Sequence, residues 1–85
     1  MRVELFYSPT CPDCPPAKRI FRRLLAEHPE VEYFEINVKE NRKRAEELGL
    51  THVPTIVIDG KIVFVEHVTE KEAKEEIERR LNVPK

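Results

Sequence analysis

Two cysteines separated by two residues, Cys11 and Cys14, are the side chains of this 85-residue sequence that are best suited to chemistry. A deprotonated thiol is a nucleophile, and two thiols this close in sequence can form a reversible disulfide. A disulfide that closes so short a loop stabilises a fold by only about 2 kcal/mol in chain-entropy terms, so stability is a weak reason for the pair. The pair follows a strand and is expected in a surface loop, which argues against two inert buried thiols. The spacing therefore favours thiol–disulfide exchange.

A C-x-x-C pair can instead supply half of a zinc site. Zinc usually takes four ligands, commonly from two such pairs or from one pair and two closely spaced histidines. The histidines of this sequence, His28, His52 and His67, are spaced 24 and 15 residues apart, and a second cysteine pair is lacking. We therefore predict that one chain binds no metal. A metal-binding or interaction module, with a metal site shared between two chains, is left open as a less favoured alternative.

The position of the pair at the start of a helix makes the two thiols different. Pro12 suits the first helical position, where a missing N–H costs nothing, so Cys11 is the expected N-cap. A thiolate there faces free backbone N–H groups and the positive end of the helix dipole. Cys14 instead continues an apolar stripe of the helix, which consists of Ala17, Phe21, Leu24 and Leu25. An exposed attacking thiol beside a sheltered resolving thiol is the arrangement that two-step exchange requires.

The elements that must position this pair follow from periodicity and turn residues. Four stretches have the pattern of a strand: residues 2–7, 31–38, 55–58 and 62–65. Three stretches have the pattern of a helix: residues 12–28, residues 41–49, and the stretch from the Thr69–Glu72 capping box to Leu81. Asp59-Gly60 joins the last two strands into a hairpin. The residues expected to provide the sheet's share of the core are Phe6, Phe34, Ile36, Ile56, Ile58, Ile62 and Phe64.

The resulting order of elements, β-α-β-α-β-β-α, predicts an α/β fold with a four-stranded mixed sheet and helices on both faces. The chain carries 15 basic and 16 acidic side chains, and its net charge of −1 argues against a nucleic-acid binder. No apolar run approaches the roughly 20 residues that span a bilayer, and no signal-peptide core precedes the first strand. We therefore expect one domain over residues 1–85 that acts as a monomer in the cytoplasm, without nucleic-acid or membrane partners.

With these features in place, the sequence resembles the thioredoxin superfamily, and most of all the small glutaredoxin-like proteins that work as thioredoxins. The resemblance covers nearly the whole chain. The stretch Cys11-Pro12-x-Cys14-x-x-Ala17-Lys18 matches the glutaredoxin pattern. The stretch Val53-Pro54-Thr55, about forty residues later, matches the cis-proline signature of the superfamily.

The resemblance implies a thioredoxin-like dithiol reductase of protein disulfides, in which Cys11 is the nucleophile and Cys14 resolves the mixed disulfide. It implies no bound cofactor beyond the redox-active Cys11–Cys14 disulfide. The implied partners are protein disulfides and a flavoprotein of the thioredoxin-reductase type as electron donor. The implied substrate groove consists of Thr10, Pro12, Asp13, Val53, Pro54 and Thr55, with a cis peptide bond between Val53 and Pro54.

Two charged residues are further candidates at this groove. Lys18 is expected to aid the thiolate electrostatically. Glu66 stands where many relatives have a glycine that lines the groove, although a solvated charge at the end of a strand is the commoner role of such a residue. A Glu66 carboxylate that points at the groove would disfavour acidic partners near Cys11.

Departures from the family pattern bear on the reaction. Glutaredoxins with this motif usually have tyrosine in place of Asp13, and a Gly-Gly pair where this chain reads Val65-Glu66-His67-Val68, which argues against a dedicated glutathione site. The Asp13 carboxylate opposes stabilisation of the Cys11 thiolate and so favours a reducing couple. Leu5 replaces the buried aspartate that thioredoxins often carry, so the proton acceptor for Cys14 is not identified. A glutathione-linked glutaredoxin is the alternative function.

Overall fold

The computed structural model describes residues 1–81, which form four strands and three helices in the predicted order. The strands are β1 (Arg2–Tyr7), β2 (Glu32–Asn37), β3 (Thr55–Ile58) and β4 (Lys61–Val65). The helices are α1 (Cys14–Ala26), α2 (Arg42–Leu48) and α3 (Glu70–Leu81).

The strands form one sheet in the order β2-β1-β3-β4. Strand β1 pairs in parallel with β2, whereas β3 is antiparallel to both β1 and β4. The parallel pair needs a crossover connection, which contains α1, while the antiparallel β3–β4 pair needs only a tight turn. The predicted α/β fold with a four-stranded mixed sheet is therefore confirmed. Because β1 is an inner strand, the loop that follows it starts near the middle of the sheet, at the end where β1 finishes.

One face of the sheet carries the main apolar core of the described residues. Side chains along a strand alternate between the two faces, and this face takes Val3 and Leu5 of β1 with Ile56 and Ile58 of β3. They pack against the apolar stripes of two helices. The helical members of this cluster are Ala17, Phe21, Leu24 and Leu25 of α1 and Ala73 and Ile77 of α3.

The opposite face of the sheet is only partly covered. Phe6 is fully buried there, but Phe34 is 38% exposed and Ile62 is 40% exposed. The prediction that Phe34 and Ile62 belong to the core is therefore wrong, whereas Phe6, Ile56 and Ile58 are buried as predicted and Ile36 and Phe64 are half-buried. Strand alternation and the pairing registers place Phe34 and Ile62 on the face of Phe6, whereas two helices cover the opposite face.

An ion pair holds α2 against this second face. Glu4, in the middle of β1, is 1% exposed and accepts hydrogen bonds from Nε (3.1 Å) and Nη2 (2.6 Å) of Arg44 on α2. The Nε of Arg2 lies 3.7 Å from the same carboxylate. A buried carboxylate needs such partners, because burial of an uncompensated charge is costly. Helices therefore lie on both faces, as predicted, and α2 leads into the loop that carries Pro54.

The chain reversals follow the local signals of the sequence. Asp59 (φ 50°) and Gly60 (φ 83°) both have positive φ, as a type I′ hairpin turn requires. Gly49 ends α2 in the left-handed conformation at φ 75°. The capping box of α3 is formed, since the Glu72 N–H donates to Thr69 Oγ1 (3.1 Å) and the Thr69 N–H donates to Glu72 Oε1 (3.0 Å). These predictions are confirmed.

Candidate active site

The loop between β1 and α1 presents the first cysteine at the surface. The Cys11 N–H donates to the Ser8 carbonyl (3.1 Å), which closes a turn. The hydroxyls of Ser8 and Thr10 lie 3.2 Å apart within this turn. Cys11 is half-buried, and its neighbours Thr10, Pro12 and Asp13 are exposed. A partner that reaches the Cys11 sulfur therefore meets these neighbouring side chains.

Helix α1 begins at Cys14 with Asp13 as its N-cap, so the prediction of Cys11 as N-cap and Pro12 as first helical residue is wrong. The reason is the Pro15-Pro16 pair. A helix that began at residue 12 would need the N–H groups of residues 15 and 16 for its first two backbone hydrogen bonds, and proline has none. With Asp13 as the N-cap, both prolines fall in the first turn, where an N–H has no partner within the helix.

This later start weakens the support that the helix gives to a thiolate at Cys11. Of the N-cap and the first three helical positions, only Asp13 and Cys14 carry an N–H, because the next two residues are prolines. Asp13 makes no capping hydrogen bond through its side chain. Its exposed carboxylate instead adds a negative charge at the helix end that is nearest to Cys11.

Cys14 is the sheltered member of the pair, as its place in the apolar stripe predicts. Its side chain is 1% exposed. Burial, and next the hydrogen bond with Cys11, raise the pKa of Cys14 to about 11. A hydrogen bond with the Ser8 backbone and the positive charge of Lys18 act in the opposite direction. At neutral pH Cys14 is therefore a protonated thiol.

Lys18 lies one helical turn after Cys14 and is fixed beside the cysteine loop. Its Nζ is 3.4 Å from the centroid of the Tyr7 ring, which is a cation–π contact with the end of β1. From there its charge lowers the pKa of Cys14. Tyr7 was not among the site residues predicted from the sequence. The contact could have been predicted from an aromatic residue at the end of a strand and a basic residue early in the helix that follows.

The segment before β3 faces the cysteine loop. The Val53–Pro54 peptide bond is cis, and the Val53 carbonyl accepts a hydrogen bond from Cys11 Sγ at 3.5 Å. Pro54 and Thr55 are buried, and the Thr55 hydroxyl donates to the His52 carbonyl. Thr55 therefore supports the turn from within and offers no accessible side chain to a substrate. The groove residues that lie at the surface beside Cys11 are the loop side chains and the Val53 backbone.

Glu66 lies directly beside the cis-proline segment. Its N–H donates to the Pro54 carbonyl (2.8 Å), and its Oε1 is 3.1 Å from Nε2 of His52. The His67 N–H donates to the Val65 carbonyl (2.8 Å), so Glu66, at φ 68°, is the central residue of a γ-turn. The carboxylate is thus held next to the groove by a specific partner. Glu66 was a candidate from the sequence, but its partner His52, which lies 14 residues earlier, was not predicted.

Within residues 1–81, no group of three or more histidine, cysteine, aspartate or glutamate side chains could hold a metal ion. Across the same residues, no helix has the length and apolar character needed to cross a membrane.

Comparison with known proteins shows to which family this chain belongs. Residues 1–79 match a family model described as Thioredoxin domain. A thioredoxin of Methanocaldococcus jannaschii is 46% identical over 84 residues, which cover 95% of this chain and 96% of that protein. A probable thioredoxin of Methanothermobacter thermautotrophicus is 36% identical over 66 residues, which cover 76% of this chain and 78% of that protein.

Solved structures agree with this result. Thioredoxin 1 of Thermosipho africanus has a TM-score of 0.83 at 22% identity, over 98% of this chain and 97% of that chain, which shows the same fold. A mutant thioredoxin of Halobacterium salinarum has a TM-score of 0.81 at 27% identity, over 99% of this chain and 77% of that chain. The chain therefore belongs to the thioredoxin family and is a thiol–disulfide oxidoreductase.

Proposed function

We propose that this protein is a dithiol reductase of protein disulfides, with Cys11 as the attacking thiol and Cys14 as the resolving thiol. The observation that carries the proposal is the difference between the two thiols. Cys11 is half-buried and lies 3.5 Å from the Val53 carbonyl, whereas Cys14 is fully buried with a pKa of about 11. Only one of the two sulfurs is accessible to a client, and the other lies directly behind it.

In the first step the Cys11 thiolate attacks one sulfur of a client disulfide. A bond forms between Cys11 Sγ and that sulfur, the client S–S bond breaks, and the second client sulfur leaves as a thiolate that takes a proton from water. An extended client segment pairs with the backbone at Val53, in the manner of an added strand. The side chains of Thr10, Pro12 and Asp13 flank the client on the cysteine side.

In the second step Cys14 loses its proton to water and attacks Cys11 Sγ. The intramolecular S–S bond forms, the bond between Cys11 and the client breaks, and the client sulfur leaves as a thiolate that takes a proton from water. The client then carries two reduced sulfurs, so two electrons have passed to it. The mixed disulfide itself promotes this step. A disulfide sulfur at Cys11 carries no charge, which removes the interactions with Cys11 that raise the pKa of Cys14, while Lys18 and the Ser8 backbone still favour the thiolate.

The sign of the charges near the pair supports reduction rather than oxidation of clients. Asp13 is exposed at the helix end beside Cys11, and the prolines of the first turn remove two N–H groups that would otherwise stabilise a thiolate. A less stabilised thiolate makes the dithiol a better electron donor. We propose that a flavoprotein of the thioredoxin-reductase type returns two electrons to the disulfide after each cycle. The single domain, the monomeric state and the cytoplasmic location stay predictions.

The glutathione-linked alternative is less well supported. Glutaredoxins with this cysteine motif carry a Gly-Gly pair after the fourth strand, and here Glu66 and His67 fill that stretch. Glutathione carries two carboxylates, and a carboxylate held beside Pro54 repels them.

The test is reduction of a protein disulfide by the wild type and by two serine variants. C11S is expected to lose all turnover, since the attacking sulfur is gone. C14S is expected to accumulate a mixed disulfide with the client, detected as the summed mass in non-reducing mass spectrometry. Free release of reduced client by C14S would contradict the assigned roles.

Equilibration in graded glutathione buffers separates the two candidate functions. A dithiol–disulfide midpoint near about −270 mV without a lasting glutathione adduct supports the thioredoxin-like reductase. A midpoint near about −200 mV, or a stable glutathione adduct on Cys11, supports the glutaredoxin alternative instead.

A further inference from the structure

A short chain of hydrogen bonds runs along the cis-proline segment. The Thr51 Oγ1 lies 2.9 Å from His52 Nδ1, and His52 Nε2 lies 3.1 Å from Glu66 Oε1. One tautomer of the neutral imidazole satisfies both contacts, because the Thr51 hydroxyl then donates to Nδ1 while the Nε2–H donates to the carboxylate. In this state His52 orients Glu66 without cancelling its negative charge.

The backbone of Glu66 is held in place as firmly as its side chain. The hydrogen bond to the Pro54 carbonyl and the γ-turn at φ 68° fix the residue beside the segment that faces Cys11. Positive φ in a γ-turn is unfavourable for any residue that has a Cβ, and glycine would adopt it freely. Such local strain concentrates at functional sites. The Glu66 side chain is 41% exposed, so a bound client can touch its carboxylate.

The loop that carries Cys11 adds a second carboxylate, that of Asp13. Asp13 is exposed next to Cys11, and among residues 1–81 no basic side chain forms an ion pair with it. Lys18 is held on the Tyr7 ring, and its positive charge acts on the buried Cys14. A client that reaches Cys11 therefore meets the Asp13 carboxylate on the cysteine loop and the Glu66 carboxylate beside the segment that faces this loop.

We propose that Glu66 is a specificity-determining residue, which favours clients that carry lysine or arginine next to the attacked cysteine and disfavours clients that carry aspartate or glutamate there. The inference rests on the proposed reduction of protein disulfides and names the class of client. Charges at the edge of a binding site select partners of opposite charge and disfavour partners of like charge. His52 is a positioning residue, because it acts on the client only through the carboxylate that it holds.

The test uses three peptides with one internal disulfide each, which differ only in lysine, alanine or glutamate next to the more accessible cysteine. The wild type is expected to reduce the lysine peptide about two- to fivefold faster than the glutamate peptide, measured as kcat/KM, which is the factor that one exposed charge pair supplies. The ratio is expected to fall towards one in high salt. E66Q is expected to bring the ratio close to one in low salt as well.

Two further variants separate charge from fold. E66G removes the carboxylate and suits positive φ, so it is expected to fold and to lose the preference as E66Q does. E30Q is the matched control, because Glu30 also lies beside a histidine (3.8 Å from His28 Nδ1) but in the loop between α1 and β2. E30Q is expected to keep the wild-type rates and the wild-type ratio.

The outcomes distinguish the two proposals. Equal rates for the lysine and glutamate peptides with the wild type would overturn the role of Glu66 while leaving the reductase in place. A preference that survives in both E66Q and E66G would also overturn it and would assign the selection to Asp13. If the wild type reduces none of the peptides, including the alanine peptide, the proposed reductase function itself fails, and the inference fails with it.

Discussion

Strand β4 has a residue with unusual backbone geometry at each end, and the two are held for different reasons. Asp59 precedes the strand at φ 50° and Glu66 follows it at φ 68°. At the first site, which we term the hairpin end (Asp59 and Gly60), the Asp-Gly sequence itself favours the turn, and Asp59 Oδ1 accepts a hydrogen bond from the Arg2 N–H (2.8 Å). At the second, the reactive end (Cys11, Pro54 and Glu66), the sequence has no such local preference.

The difference shows where this fold departs from local rules. At the hairpin end the Asp-Gly sequence favours the positive φ values that are observed, so this end has a structural role. At the reactive end Glu66 adopts a conformation that its own side chain disfavours, and it is held by contacts with Pro54 and His52. Disagreement between local preference and tertiary structure is expected at functional sites.

Protection of Cys14 is the largest effect expected at the reactive end. A pKa of about 11 in place of 9.0 leaves about 100-fold less thiolate at about pH 8, so alkylation of Cys14 by iodoacetamide should be at least about 100-fold slower than in the unfolded chain. Peptide mapping of the reduced protein, with and without urea, measures both rates. Cys14 that reacts equally fast in the native and the unfolded protein would contradict the sheltered resolving thiol.

The Glu4–Arg44 pair tests whether an anchor remote from both ends supports the loop that carries Pro54. R44A leaves the buried Glu4 carboxylate with only the longer contact to Arg2 (3.7 Å) and should lower the free energy of unfolding by about 2 kcal/mol. The value lies below that of a fully buried pair because Arg44 is itself half-exposed. Urea unfolding gives the measurement. K43A, on the same helix, should change stability by less than about 0.5 kcal/mol, and an equal loss in both variants would refute the anchor.

Substitutions at the two positive-φ sites should have different effects on stability. In G60A the added Cβ meets no atom within 4 Å, so the cost is that of φ 83° alone, about 1 kcal/mol, or a Tm lower by about 4–8 °C. In E66G the relief of strain offsets the flexibility of glycine, and the change in stability should stay within about 0.5 kcal/mol. Thermal unfolding compares the two variants. A large loss in E66G would mean that Glu66 serves the fold, as Gly60 does.

The smallest effect concerns Glu35 on the edge strand β2, away from both ends of β4. Partial burial acts to raise the pKa of Glu35, but hydrogen bonds from Arg22 (2.7 and 2.6 Å) and from the Tyr33 hydroxyl (2.8 Å) outweigh it and hold the pKa below its ordinary value. A lowered pKa in the folded state stabilises the protein above the unfolded-state value near about pH 4.5, and this contribution is lost as the pH falls through the folded-state pKa.

E35Q should therefore be less stable than the wild type by under about 1 kcal/mol at neutral pH, and the difference should shrink at about pH 3. Urea unfolding at the two pH values measures it. A difference that grows in acid would show that the carboxylate is not the stabilising form.

The sequence alone predicted those parts of the protein that depend on neighbouring residues. Three such features depend on contacts over only a few positions, so their residue types suffice to predict them. They are the Asp59-Gly60 turn, the Thr69–Glu72 capping box and the Gly49 C-cap of α2. The order of strands and helices was predicted in the same way, from the spacing of apolar residues along the chain. The start of α1 was also decided locally, but by the Pro15-Pro16 pair rather than by Pro12.

The tertiary structure decided what residues far apart in sequence do together. Which strand residues join the main core, with Phe34 left half-exposed, depends on where the helices pack. The approach of Cys11 Sγ to the Val53 carbonyl spans 42 positions, and the Glu4–Arg44 pair spans 40. The sequence thus determined that a cysteine pair lies between a strand and a helix of a thioredoxin-like fold, with Cys14 on the helix. Only long-range packing placed the charged Glu66 beside the cis-proline segment, because no local preference brings a strained glutamate there.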